Sequence, residues 1–469
     1  VAARALTGVA LLCAVACSPA ASGPAVIEAE PPAACDEVSM GGQRYVSAIG
    51  AGGRYFTDQH GDPILVFGDS PWAGMVRWSP SQAELYFADR EARGFNASII
   101  SLTGAPDNGG LDEEGRTFDG ILPFDGGDVT RWNELYWQRV DEYVRSACAH
   151  GNTLFLYPID GWTVSNVFKG ASLEDARRYG AMVAQRYARF PNIVWMTGGD
   201  HFPYDLPGRH DSPPEHDAKF QQVLAGIRSA GDTRPFSIQL GYPTSQSTDS
   251  PMWAPHADFN FVYSYLPTYR AVLDAYRRDR LPALLSEANY EGENNLPGTP
   301  VTGDEVLRRQ MAWALTSGSP GYFYGSDDWE FHPGWEGRLD TPAVAQLGRL
   351  RLFFESLGWS SLVPDDSDEI LLGGRGEPVA AGVEVGIMGS DYATAARTPG
   401  SLVAYVPTAR TVTVDPAKLA QRTVRWIDPA DATAPPVEAA VDPSGALATP
   451  GRNSAGGEDW LLLLPVGAG

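Results

Sequence analysis

The chain has 469 residues, 43% of them hydrophobic, 20% charged and 11% aromatic, with a formal net charge of −23. That length suits one large domain and a smaller second one, and the acidic balance excludes nucleic acid and an anionic membrane surface as partners. Thirteen Trp and 19 Tyr supply rings that either fill a large core or serve as flat binding platforms.

The first residues read as an export signal. Arg4 forms a short basic region, and 5–16 is an apolar run too short to stay in a bilayer as a helix. Ala14, Val15 and Ala16 place small residues before Cys17, as in a bacterial lipoprotein processing site, so Cys17 is the expected lipidation position within a signal of residues 1–17. The other reading is an ordinary secretory signal cut nearby. Residues 18–43 begin as a Pro- and Ala-rich tether. The expected location is therefore outside the cytoplasm, as a cell-surface lipoprotein or a secreted protein, with the membrane engaged only through the anchor. Of the remaining cysteines, Cys35 and Cys148 either form a disulfide in an oxidising compartment or leave Cys148 as a buried thiol near a helix end. No CxxC, HExxH or Gly-rich phosphate loop is present, so neither a metal nor a cofactor is expected.

From residue 44 the pattern becomes regular. Residues 44–62 read as a leading hairpin with Gly-rich turn signals. Strands are then expected at 64–69, 96–103, 153–159, 192–200, 235–240, 259–265, 283–287 and 321–325. Helices alternate with them, starting at Ser79 (capped by Gln82), Trp132, Ser172, Ser212, Gly303 and Thr341. The connection after the fifth strand and the helix after the sixth are the weakest links. The loop 104–130 is long and rich in Gly and Asp, which marks a functional or mobile segment. Eight strands alternating with helices fit a (β/α)8 barrel over 44–362, an α/β fold. From about 363 the rhythm changes to short β-like runs (EILLG, VEVGIMG, SLVAYVP, TVTVDP, TVRWIDP, DWLLLLP), which read as a small all-β sandwich to residue 469.

In such a barrel the C-terminal strand ends carry the chemistry. Two of them close on a carboxylate: Asp200 after NIVWMTGG and Glu287 after LPALLS. Paired carboxyls are what glycosidic bond cleavage requires, one to protonate the leaving oxygen and one to attack the anomeric carbon or activate water. The pattern resembles the large barrel superfamily of retaining glycosidases, with the acid/base after strand four and the nucleophile after strand seven, which implies Asp200 as acid/base and Glu287 as nucleophile; a carboxylate at either place that only caps a loop or pairs with an arginine is the structural alternative. Glu291, one turn beyond, is the reserve candidate. Other strand ends offer expected sugar contacts: Asp69 and Trp72, then Tyr157, Asp160 and Trp162. His201 adjoins the acid, Gln239 and Tyr242 follow strand five, Tyr263 and Tyr265 end strand six, and Asp327 and Trp329 follow strand eight. Each is hydrogen-bonding or ring-stacking in type.

At these residues the chain resembles the apiosidase-like barrel glycosidases, glycoside hydrolase family 140. The matching words are RYFTDQHGDPILVFGDSPW (54–72), DREARGFN (89–96), YPIDGW (157–162), QRYARFPNIVWMTGGD (185–200), SEANYE (286–291) and GYFYGSDDW (321–329). The tail resembles the β-sandwich, labelled a collagen-binding domain, that often follows this barrel. The resemblance implies a retaining, exo-acting glycosidase cutting a pentofuranose such as apiose from a plant or microbial polysaccharide, with Asp200 as acid/base and Glu287 as nucleophile. Residues 238–253 lack the His expected after strand five in relatives. The expected partner is a polysaccharide or oligosaccharide; the oligomeric state is open. A surface carbohydrate-binding lipoprotein with an inactive barrel is the alternative from another class.

Overall fold

The computed structural model describes Cys35 and residues 42–365, 367–380 and 382–466; Cys17, the signal and most of the tether lie outside the described residues. The chain enters through a small antiparallel sheet of Ala48–Ile49, Phe56–Thr57 and Pro63–Ile64. Eight parallel strands follow: β1 Val66–Asp69, β2 Ala97–Ser101, β3 Thr153–Tyr157, β4 Ile193–His201, β5 Phe236–Leu240, β6 Asn260–Ser264, β7 Ala283–Glu287 and β8 Gly321–Phe323. They pair in order β5-β4-β3-β2-β1-β8-β7-β6, so first and last strands close against each other. This is the (β/α)8 arrangement.

Helices α1 Pro80–Ala92, α2 Glu134–Ala149, α3 Leu173–Arg186 and α4 Pro214–Ser229 follow the first four strands. Their sequence signals work as local chemistry dictates: Ser79 and Gln82 form a reciprocal capping box at α1, and Ser172 and Asp175 do the same at α3. Ser212 does not cap α4; its hydroxyl accepts from the Phe202 amide, tying down the loop after β4. Helices α5 Thr268–Arg278, α6 Asp304–Thr316 and α7 Pro342–Ser356 follow β6, β7 and β8.

After β5 there is no helix, which corrects the simple alternation. The chain turns at Gly241–Pro243 and descends as Thr244–Gln246, antiparallel to β6. Below it, side chains sew the seam. The Ser247 hydroxyl donates to the Ile238 carbonyl at 2.7 Å and accepts from the Phe261 amide at 2.8 Å, while Ser237 donates to Phe259 O at 2.6 Å. Hydroxyls thus satisfy backbone groups that a regular β5–β6 ladder would pair.

Inside the barrel, Val66, Ile99, Phe155, Val194, Phe261, Leu284 and Phe323 form the packed floor beneath the strand ends. Residues one step along each strand face the helices instead, as period-two alternation requires.

The C-terminal part comprises β9 Val363–Pro364, β10 Leu371–Gly373, β11 Thr394–Arg397, β12 Ser401–Val406, β13 Thr411–Val414, β14 Thr423–Ile427, β15 Val437–Ala440, β16 Ala446–Ala448 and β17 Trp460–Pro465. A six-stranded antiparallel sheet, β9-β11-β12-β17-β14-β15, faces a three-stranded one, β10-β13-β16, across a core of Leu371, Val412, Leu402, Trp426 and Leu462. The expected strand VEVGIMG is instead a 3-10 turn at Ile387–Gly389; glycines at 386 and 389 bracket it, and within that turn only Ile387 is buried. The outer face of the large sheet packs on the barrel through Val403, Tyr405 and Leu461, which join the cluster of Trp313 and Leu350. Across that junction Arg308 of α6 pairs with Asp459 at 2.9 Å, both buried. Cys35 and Cys148 are joined by a disulfide, with Cα atoms 6.1 Å apart.

Candidate active site

Both candidate carboxylates sit on bulged strand ends, and the bulges aim them. On β4, Gly198 pairs with Gln239 but the next pair is His201 with Leu240, so Gly199 and Asp200 are extra. Gly198, Gly199 and Asp200 all have positive φ, at 91°, 85° and 48°. Glycine accepts this freely; an aspartate does so at a cost of about 1–3 kcal/mol. The neighbours exclude side chains as well: a Cβ at Gly198 would overlap the Gln239 carbonyl, and one at Gly199 would lie 2.7 Å from the Trp162 ring. On β7 the shift falls at Ser286, so Glu287 rather than Ser286 stands beside the inward-facing Tyr263. Without that slip, strict alternation from the inward Leu284 would turn Glu287 toward the helices.

Glu287 sits in a polar network of side chains from neighbouring strand ends. The Gln239 amide donates to Glu287 Oε2 at 2.8 Å and accepts from the Tyr157 hydroxyl at 2.9 Å. The Tyr265 hydroxyl reaches Glu287 Oε1 at 3.4 Å and accepts from the Tyr263 hydroxyl at 2.6 Å. The Tyr263 hydroxyl lies beside both carboxyls and pulls the pKa of each slightly down. Asp200 is held more openly: its buried Oδ1 has no partner among the described residues.

Burial dominates the electrostatics. It pushes Asp200 up to about 6, against the smaller opposing pulls of Tyr263 and Arg209. It raises Glu287 well above the ordinary glutamate range too, and the neighbouring Asp200 charge raises it further. The Asp200 charge favours the protonated form of Glu287, and the titration belongs to the pair.

Aromatic rings wall the pair. Trp72 packs 4.9 Å from Tyr157 and 5.5 Å from Trp162, ring centre to ring centre, and its indole donates to the Tyr290 hydroxyl at 3.0 Å. Trp162, Tyr265 and Trp329 pack on the same interior cluster. Tyr242, half exposed beside a cis peptide to Pro243, stands 6.4 Å from the Tyr265 ring; the Arg209 guanidinium lies over both it and Phe202. A cleft of about 410 Å³ opens there, lined by Phe202, Arg209 and Tyr242. Larger cavities of about 690 and 470 Å³ lie at the sandwich edge and near Arg44 and His150, away from the carboxyl pair, so volume alone does not mark the chemistry.

Other expected contacts point elsewhere. Asp69 is buried against Arg90 at 3.0 Å and Tyr86 at 2.6 Å, under α1. Asp160 is saturated: it accepts from the Trp162 and Thr163 amides and from the Thr163, Ser101 and Asn108 side chains. Its work is to fix the turn that carries Trp162 and to pin the loop after β2. His201 faces outward, bonded to Asp217 at 2.8 Å, which also accepts from Trp253. Glu291 accepts from Tyr324 at 2.6 Å and Thr341 at 2.9 Å, a brace between strand ends. Asp327 lies against Gly292 on the β7–β8 side. Tyr290 and Glu293, both near the pair, were not singled out by the sequence; the run YEGEN offered several acids and no periodicity to choose among them. Among the described residues no group of His, Cys, Asp or Glu is arranged to hold a metal.

A family profile described as "Apiosidase-like, catalytic domain" matches residues 50–361. A solved structure named only as a glycoside hydrolase superposes with a TM-score of 0.74 at 21% identity, covering 91% of this chain and 98% of its own. A glycoside hydrolase family 5 structure from Bacteroides vulgatus gives 0.74 at 19% identity, covering 91% and 94%. At such identities the likeness is one of fold. A search of curated proteins gave no match.

Proposed function

The chain belongs to the apiosidase-like family and is a glycoside hydrolase, and from that premise we propose that it is an exported, retaining, exo-acting enzyme that releases a pentofuranosyl sugar from a polysaccharide. Asp200 is the acid/base and Glu287 the nucleophile. The observation that carries this reading is the pair itself: carboxyls at the ends of β4 and β7, Glu287 buried and Asp200 half-buried, close enough that the Asp200 charge raises the Glu287 pKa.

The steps follow from the environments. Gln239 and Tyr265 donate to Glu287 and favour its carboxylate, the form that attacks the anomeric carbon, against burial and the Asp200 charge, which hold a proton on it until Asp200 is neutralised. Burial raises Asp200 to about 6, within reach of protonation; with the pair's proton moved onto it when substrate binds, it gives that proton to the leaving oxygen as the glycosidic bond breaks. A glycosyl ester on Glu287 results. Asp200, now ionised, takes a proton from water, the water oxygen attacks the anomeric carbon, and the ester bond breaks to return Glu287 as carboxylate. Tyr263 lies beside both carboxyls, and a pair this close leaves little room for the water that an inverting enzyme seats between them, which supports retention. Aromatic walls from several strand ends around the pair support a pocket for a chain end. The Cys35–Cys148 disulfide supports export, since such bonds persist in oxidising compartments; lipidation of Cys17 would be seen as an acylated mature N-terminus by mass spectrometry.

The test is a screen of plant and microbial polysaccharides with product analysis by chromatography and proton NMR. A released monosaccharide pentose whose first-formed anomer matches the substrate supports all parts of the reading. Internal cleavage, an inverted anomer or release of a hexose alone would each remove the corresponding part.

A further inference from the structure

Glu293 stands beside the pair with no role in the steps above. It belongs to the turn after β7, held by its amide to Tyr290 O and by Thr302 N to its own carbonyl. Its carboxylate spans the mouth toward β8: Oε1 accepts from the Trp329 indole at 2.7 Å and Oε2 from the Asn295 amide at 2.7 Å. Trp329 packs on the interior cluster that also holds Trp72, Tyr157 and Tyr290. An indole N–H bonded to a carboxylate is a fixed wall; without it the ring is free to turn about its side-chain torsions.

We infer that Glu293 is a positioning residue for the sugar pocket: it locks the Trp329 ring in place and sets a fixed negative charge close to the nucleophile Glu287. This rests on the proposed roles of Asp200 and Glu287. The groups facing Glu293 agree with it. Asp327 and Glu330 from the β8 side lie near enough to raise its pKa, after burial as the main cause. Glu293 in turn raises Glu287 and Tyr265. Loss of its charge therefore lets Glu287 ionise at lower pH.

Three single variants and one double variant separate the two functions. Glu293→Gln keeps an acceptor for the indole and removes the charge; its KM should stay within about twofold of wild type while the acid limb of kcat/KM moves to lower pH. Glu293→Ala loses both, so KM should rise about tenfold, the loss expected for one hydrogen bond to a charged group. Trp329→Phe should match that rise, and the double variant Glu293→Ala/Trp329→Phe should be no worse than either alone. A readout independent of turnover is the Trp329 indole N–H resonance in 15N-indole-labelled protein, assigned by its loss in Trp329→Phe. It should shift upfield in Glu293→Ala and stay near its place in Glu293→Gln. Additive losses in the double variant, an unmoved acid limb in Glu293→Gln, or an unmoved indole resonance in Glu293→Ala would each overturn the inference. Full activity in Asp200→Ala and Glu287→Ala would instead overturn the reading beneath it, a separate result.

Discussion

The ends of β4 and β7 solve one problem in two ways. Each must deliver a carboxyl into the barrel mouth, and each leaves regular strand geometry to do so. At β7 one slipped residue suffices, and Glu287 is then gripped by Gln239 and Tyr265. At β4 two extra residues with left-handed backbone carry Asp200 in, and its Oδ1 is left without a partner among the described residues. In the proposed roles, the group that attacks along one line is held firmly, and the group that passes a proton both ways is half-buried and loosely bonded. The contrast teaches that burial and hydrogen bonding are set separately at the two ends.

The largest effect should come from removing either member. Glu287→Ala should lose about 10⁴-fold or more in kcat, and Asp200→Ala about 10²–10⁴-fold, less on substrates with good leaving groups. Equal losses on good and poor leaving groups would erase the distinction between the ends. Next is the β4 backbone. Gly199→Ala meets both the Trp162 ring and a positive φ, so it should cost about 1–3 kcal/mol of stability in denaturant melts. It should also depress kcat by displacing Asp200. Wild-type activity in that variant would mean the bulge does not aim the acid. Gln239→Ala, which frees one oxygen of Glu287, should lose about 10–100-fold in kcat/KM, the scale of one hydrogen bond to a charged group.

The smallest effect is on stability, and its sign follows from the raised pKa. A carboxyl near its ordinary pKa when unfolded but at about 6 when folded opposes folding increasingly as pH rises across that interval, and keeps opposing it above. Asp200→Asn removes the ionisation, so it should raise Tm by a few degrees at pH 7 and leave it unchanged near pH 4. A Tm difference that is the same at both pH values would contradict the burial argument.

The barrel, its strand positions and both carboxylates were legible in the sequence because apolar runs, capping residues and terminal acids are local features. Gly198-Gly199 also announced that backbone approaches closely at Asp200. What escaped was non-local. Alternation along ALLSE, read alone, does not place Glu287 inward; the slip at Ser286 does, and only pairing with β6 reveals it. Asp69, Asp160, His201 and Glu291 were candidates by position and type. Their partners Arg90, Asn108, Asp217 and Thr341 come from distant segments, and a strand-end acid looks the same whether it faces a sugar or an arginine. The missing helix after β5 was visible only as a short connection, because Ser237 and Ser247 carry no sequence mark of closing a barrel.

The most direct measurement is covalent trapping. A 2-deoxy-2-fluoro glycoside of the released sugar, incubated with the enzyme and followed by peptide mass spectrometry, should label one residue, Glu287, and Glu287→Gln should abolish the label while Asp200→Asn slows it. A label on Glu291, Glu293 or Asp200, or turnover with no label and an inverted product, would contradict the assignment of the two strand ends.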